Sequence, residues 1–163
     1  MKSSKGFTLI ELVIVIIVLG ILSATAIPKF INIHSDARKA ALDGFIGGFT
    51  STNSIVMSKA AILGVENSVK PQKLDGTDIY IEDGSIMLTV DNIKSAMNIS
   101  GFNIAEGGST DGGNTIIVYL GDKLPRLKEL TKNKCSLYIV NSYTPANGSL
   151  EKGLRITKEY DKC

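Results

Sequence analysis

The sequence predicts an α+β fold: one long, kinked N-terminal helix packed on a mainly antiparallel β-sheet, with a disulfide-bounded C-terminal region. Three observations point to it. From Phe7 to Ile27 the chain is apolar for 21 residues, with Glu11 as the only charge. Beyond Pro28 the solid apolar run gives way to a helical period. From residue 79 onward, short β-like runs alternate with Gly- and Asp-rich turns, and the only two cysteines, Cys135 and Cys163, bracket the end of the chain.

The apolar run comes first. As a helix its length is about 31 Å, matching a hydrocarbon core of roughly 30 Å. Lys2 and Lys5 precede it, and without them the basic residues equal the 16 acidic ones. The two lysines read as a positive-inside signal that keeps the N-terminus in the cytoplasm and sends the remainder across. The rest alternates in charge sign and lacks the basic stripe of a nucleic-acid binder, so no nucleic-acid partner is expected.

The helix continues past Pro28. Phe30, Ile33, Ala37, Ala41 and Phe45 recur at three- and four-residue steps, with Lys29, Asp36, Lys39 and Asp43 between them. The pattern runs to Ile62 or Leu63, and Gly64 suits the C-terminal cap. From Phe7 this is a helix of about 57 residues, or roughly 85 Å. A domain of this size cannot bury such a rod, so its N-terminal half must be covered by lipid or by other copies of itself. Pro28 removes the bond to the Ala24 carbonyl and is expected to kink the helix. With Gly20 it marks a weak stretch that either holds a static kink or bends on assembly. Gly44, Gly47 and Gly48 are costly inside a helix, by about 1 kcal/mol each. They are expected to admit a close neighbour. The favoured neighbour is the protein's own domain, with packing between helices of a filament through Gly44-x-x-x-Gly48 as the alternative.

The globular part follows. Ile79–Glu82 and Ser85–Val90 flank Asp83-Gly84, a hairpin signal. Asp91 is expected to cap a short helix over 92–97. Residues 101–114 read as a loop. Strands are expected over 115–120, 136–140 and 154–157, with a short helix from Pro125 to about Lys132. Cys135 and Cys163 lie beyond the membrane in this topology, where thiols oxidise, and no third Cys or nearby His offers a metal set. A disulfide between them closes a loop of about 29 residues, worth on the order of 3–4 kcal/mol in the loop-entropy model.

The N-terminus admits a plain secretory reading, with Ala24-Thr25-Ala26 as a small-x-small cleavage pattern. Glu11 early in the run, Pro28 just past the cut and the uninterrupted helical pattern argue against it. Lys5-Gly6-Phe7-Thr8-Leu9-Ile10-Glu11 and its apolar tail resemble the signal of bacterial type IV prepilins, of the type IVa subclass. The resemblance implies a cleaved leader at 1–6, a cut between Gly6 and Phe7, and N-methylation of Phe7 by a prepilin peptidase/N-methyltransferase. It implies a transmembrane and filament-core helix at 7–28 and a periplasmic or extracellular pilin domain at 29–163. Pro28-Lys29-Phe30, Asp36-Ala37-Arg38, Ser58-Lys59-Ala60-Ala61 with Gly64, and the terminal cysteine pair are further similar to mannose-sensitive haemagglutinin (MSHA) pilins.

An ionisable group in such a segment calls for a partner. For Glu11 this is an N-terminal ammonium: that of its own Phe7, at i, i+4 in one helix, or that of a neighbouring subunit. Such a pair fixes axial register, because a subunit out of step leaves a charge unpaired.

No catalytic constellation is present. His34, the only histidine, reads as an interface or packing residue. There is no G-x-S-x-G and no phosphate-binding loop. Asp75-Gly76-Thr77-Asp78 and Asp111-Gly112-Gly113-Asn114 do not match the calcium loop and read as turns. Asn98-Ile99-Ser100 and Asn147-Gly148-Ser149 fit the glycosylation pattern, which is common by chance. No enzyme activity, cofactor or metal is expected. The expected function is a structural subunit, the major pilin of a type IVa pilus for attachment and biofilm formation. It is held in the inner membrane before assembly, handled there by the pilus assembly machinery, and then polymerised with its own kind on the cell surface. A minor pilin or a type II secretion pseudopilin is the alternative, and a secreted or anchored enzyme is the third class.

Overall fold

The computed structural model describes residues 6–108, 114–121, 135–143 and 151–163. Helix α1 runs from Leu9 to Leu63 without a break at Gly20 or Pro28. The chain divides into two compact units, Met1–Ala37 and Arg38–Cys163.

The first unit contains the apolar helix, whose side chains from Leu9 to Ile27 lie almost entirely exposed. Ile33 and Ala37 are exposed as well.

In the second unit α1 enters a core. Leu42, Phe45 and Phe49 pack with Leu88, Ile93, Ile104, Ile116, Val118, Leu137 and Ile139. Further along, Val56 and Ala60 meet Leu74, Ile81 and Ile86. The buried face therefore follows 42, 45, 49, 56 and 60. Of the apolar series expected from the sequence, Phe45 is in this core; the side chain of Phe30 lies outside the described residues. Ala41, one turn before Phe45 on the same side of the helix, is half-buried, and its single methyl adds little bulk. Asn53 falls on the core phase instead, and its Oδ1 accepts from Ile86 N–H at 2.9 Å.

Helix α1 ends as expected. Gly64 has φ +70°, its N–H donates to Ala61 O, and Val65 N–H donates to Ala60 O. These are the two bonds of a Schellman motif, and Val65 packs on the cluster containing Ala60.

Two antiparallel sheets follow. The first has order β1-β2-β3, from Gln72–Lys73, Tyr80–Glu82 and Ser85–Ile86. The β2–β3 hairpin turns on Asp83 and Gly84, with φ +49° and +75°, the left-handed pair that a two-residue turn demands. Helix α2 spans Val90–Ala96, starting earlier than expected, and its cap is Thr89, not Asp91. Thr89 is extended and its hydroxyl accepts from Asn92 N–H. Asp91 lies inside the first turn, too late to cap.

The second sheet is β4-β5-β6-β7, from Asn103–Gly107, Thr115–Tyr119, Ser136–Tyr143 and Glu151–Glu159. Strand β4 corrects the sequence reading, which placed a loop over 101–114. Its composition resembles a turn, but all five residues pair with β5 in register, Asn103 with Tyr119 through Gly107 with Thr115. At Gly107 a Cβ would stand 3.1 Å from the Thr115 methyl, so glycine allows the close approach. Strand β5 is buried along its whole length. One face carries Ile116 and Val118 into the helix-side core. The other carries Ile117 and Tyr119, which cluster with Ala105. Burial on both faces explains its unbroken apolar run. Strands β6 and β7 extend beyond their expected limits, and Cys135 is bonded to Cys163. The helix expected over 125–132, residues 111–113 of the second acidic loop and Asn147-Gly148-Ser149 lie outside the described residues.

Candidate assembly site

The site begins at the first turn of α1. Residues 6–8 are not helical, and Thr8 stands as N-cap, its carbonyl accepting from Leu12 N–H. Glu11, three residues on, turns back. Its Oε2 accepts from Thr8 N–H at 2.8 Å and from Thr8 Oγ1 at 2.7 Å. Glu11 N–H in turn donates to Thr8 Oγ1 at 3.3 Å. This is a capping box, two orphan amides satisfied reciprocally. Thr8 was missed in the sequence reading, although Thr-x-x-Glu before an apolar run is itself the signal.

The box bears on the two partners considered for Glu11. Phe7 precedes the cap and lies outside the helix, 88% exposed. In this uncleaved chain its nitrogen is a peptide amide. The i, i+4 pairing along one helix is therefore not formed here. Gly6 and Phe7 sit together, exposed and outside the helix, just before the cap.

Behind the cap, Leu9–Ile27 is one helix long and apolar enough to cross a membrane. Large side chains such as Ile10, Leu12 and Ile21 are each at least 60% exposed. Uncovered apolar surface of this extent requires another apolar phase. A Cβ added at Gly20 would meet nothing within 4 Å. The same holds at Gly44 and Gly47, and at Gly48 only the Met97 methyl comes to 3.4 Å. The favoured expectation, that the protein's own domain presses on these glycines, is thus corrected for Gly44 and Gly47. The core lies on the other face of the helix, and these two stand open.

Asp43, on the same helix, has partners the sequence did not reveal. Lys158 Nζ and Tyr160 Oη each donate to its Oδ1 at 2.7 Å. The Lys158 bond first, then the Tyr160 bond, holds the Asp43 carboxyl below its ordinary value. Burial first, then the Asp43 bond and charge, pushes the Tyr160 phenol well above its own. Elsewhere, burial first and then the Asp83 charge raise Glu82, against the bond from Asn114. Among the described residues no three His, Cys, Asp or Glu side chains gather as metal ligands. In the first acidic loop Asp78 pairs with Lys73 at 2.9 Å. His34 is exposed on α1.

Comparison with known proteins agrees with this arrangement. Residues 1–27 match the prokaryotic N-terminal methylation motif. The type IV narrow pilus major component PilA5 of Thermus thermophilus is 32% identical over 110 residues, 66% of this chain and 91% of that protein. The type IV major alpha-pilin of Moraxella bovis is 29% identical over 125 residues, 76% of this chain and 72% of the relative. A fimbrial protein of Pseudomonas aeruginosa is 63% identical over 30 residues, 18% of this chain and 20% of its own. No solved structure matches the chain. An uncovered apolar helix behind a methylation motif, an antiparallel sheet, a terminal disulfide and a relative matched over nearly its whole length together place the chain in the type IV pilin family, as a structural subunit of a pilus.

Proposed function

We propose that this protein is the major subunit of a type IVa pilus of the MSHA kind, used for attachment and biofilm formation. The observation that carries the assembly reading is the bare apolar helix Leu9–Ile27. It is covered by the inner membrane before assembly and by sister helices afterwards. The major component PilA5 and the major alpha-pilin are relatives over most of their lengths, which favours an abundant subunit over a minor pilin or pseudopilin.

The leader is residues 1–6. A prepilin peptidase cuts between Gly6 and Phe7 and methylates Phe7, in the open stretch before the Thr8 cap. Residues 7–28 form the membrane and filament-core helix, and 29–163 the exported domain. A cytoplasmic ATPase-driven machine extracts the subunit, and Gly20 and Pro28 give the helix a place to bend as it repacks. Glu11 sets axial register by meeting an N-terminal ammonium in an apolar surround, where a misplaced subunit leaves a charge unpaired.

Two measurements test this. Sheared surface fibres are expected to consist chiefly of this chain; fibres that hold it only as a trace component would make it a minor pilin. Glu11→Val is expected to be inserted and cut normally yet to give few filaments. Wild-type filament yield from that variant would remove the register role.

A further inference from the structure

We propose that Asp75-Gly76 is a site of spontaneous covalent modification, where the folded chain converts aspartate to isoaspartate, and that the fold withholds the same reaction from Asp83-Gly84.

The chemistry needs an aspartate followed by an unshielded amide. The Gly76 nitrogen attacks Cγ of Asp75. Its proton and the carboxyl hydroxyl leave together as water, and a cyclic imide closes. Water then adds to one of the imide carbonyls. Addition at Cγ restores aspartate. Addition at the main-chain carbonyl breaks the original peptide bond and leaves Gly76 joined through Cγ, which is isoaspartate. The sum is an isomerisation that consumes nothing and leaves the mass unchanged.

The first pair is open to this reaction. Leu74 to Thr77 form a turn, closed by Thr77 N–H donating to Leu74 O at 3.1 Å. Gly76 has φ +69°, so the turn itself demands a residue without Cβ. The same glycine leaves its own nitrogen unshielded. Asp75 and Gly76 are both exposed. Among the described residues, no hydrogen bond or ion pair holds the Asp75 carboxyl or the Gly76 amide. The pair is the tip of the connection over 74–79 between β1 and β2. Its base is fixed by Leu74 N–H donating to Ile79 O at 2.9 Å.

The second pair has the same residues and is locked. Asp83 is half-buried and its Oδ1 is shielded from solvent. Asp83 N–H donates to Ser68 O at 2.9 Å, and Glu82 and Ser85 pair on either side of the turn. Closing the imide rotates the aspartate main chain against its side chain, which here breaks these contacts first. The reaction at Asp83 therefore waits for local opening of the hairpin. The third such pair, Asp111-Gly112, lies outside the described residues.

Isoaspartate at 75 places a Cβ in the main chain of the turn. The turn that seats Leu74 against Val56, Ala60, Ile81 and Ile86 is then one carbon longer, and the fraction converted grows with the age of the subunit.

The test holds the full chain folded in detergent micelles at neutral pH for weeks. Isoaspartate is mapped by fragmentation of its peptides. The amount at 75 is expected to exceed that at 83 by about fivefold or more, the factor for even a small cost of opening the hairpin. With the disulfide reduced in guanidinium, the two sites are expected to convert at similar rates. Asp75→Asn and Asp83→Asn give a second readout, because the same ring closure then expels ammonia and changes the mass. In the folded chain Asp75→Asn is expected to lose its amide about fivefold faster or more. Equal conversion at the two sites in the folded chain would overturn the proposal, as would isoaspartate at 75 that forms only after unfolding. An Asp75→Asn chain that keeps its amide while Asp83→Asn loses it would do the same. A preference for 75 that survives in guanidinium would move the selectivity from the fold to the local sequence, and overturn it as well.

Discussion

Asp43 ties the end of the chain to the long helix through two donors on one oxygen, Lys158 and Tyr160. Its carboxyl is held below the ordinary value, so its contribution is present above the unfolded pKa of about 3.9 and is lost as pH falls through the lower folded value. Tyr160 works at the other end of the scale. Its phenol is raised, so its contribution is present below the unfolded pKa of about 10 and is lost as pH rises through the folded value. Asp43→Asn in detergent micelles is expected to be less stable than wild type at neutral pH, with the two unfolding curves merging in acid. In the same variant the Tyr160 phenol is expected to ionise at lower pH, read by ultraviolet titration. An unmoved phenol would show that burial alone sets it. Asp43 and Lys158 are both about half exposed, so the bridge positions the strand end more than it stabilises the fold.

At the scale of elements, short polar side chains fix what the apolar pattern leaves loose. Asn92, 5% exposed, accepts from Tyr80 N–H at 2.7 Å and donates to Tyr80 O and Met87 O at 2.8 Å each. It locks α2 to the small sheet. Asn92→Leu strands these groups and is expected to cost about 2–4 kcal/mol in denaturant unfolding. Thr89→Ala is expected to cost about 1 kcal/mol and Asp91→Ala much less. The reverse order would restore Asp91 as the cap. These anchors also show what was legible beforehand. The helix end at Gly64, the hairpin at Asp83-Gly84 and strand β5 were readable because each rests on local chemistry: a left-handed glycine, a left-handed pair, an apolar run. Strand β4 and the cap at Thr89 were not. Asn103–Gly107 becomes a strand only because β5 offers it a partner, and a hydroxyl one residue outside the helix looks like any other threonine. In the site, Gly6, Phe7 and Glu11 stood out through a charge where none belongs. Thr8 was legible as well, through Thr-x-x-Glu before an apolar run, but was passed over beside that charge.

For the molecule as a whole, two covalent and solvation facts dominate. The Cys135–Cys163 bond ties the last residue back to the start of β6, and Cys135→Ser with Cys163→Ser is expected to cost about 3–4 kcal/mol of domain stability. The apolar helix Leu9–Ile27, by contrast, is exposed along its length within one copy, an apolar surface suited to lipid or to other copies. The central claim is that the protein leaves the membrane with this helix still attached and uses it to polymerise. The intact mass of the chain in sheared surface fibres tests that most directly. The expected chain begins at Phe7, carries one methyl group and retains its disulfide. A chain that begins at Ile27, cut after Ala26 and shed as a monomer, would contradict it.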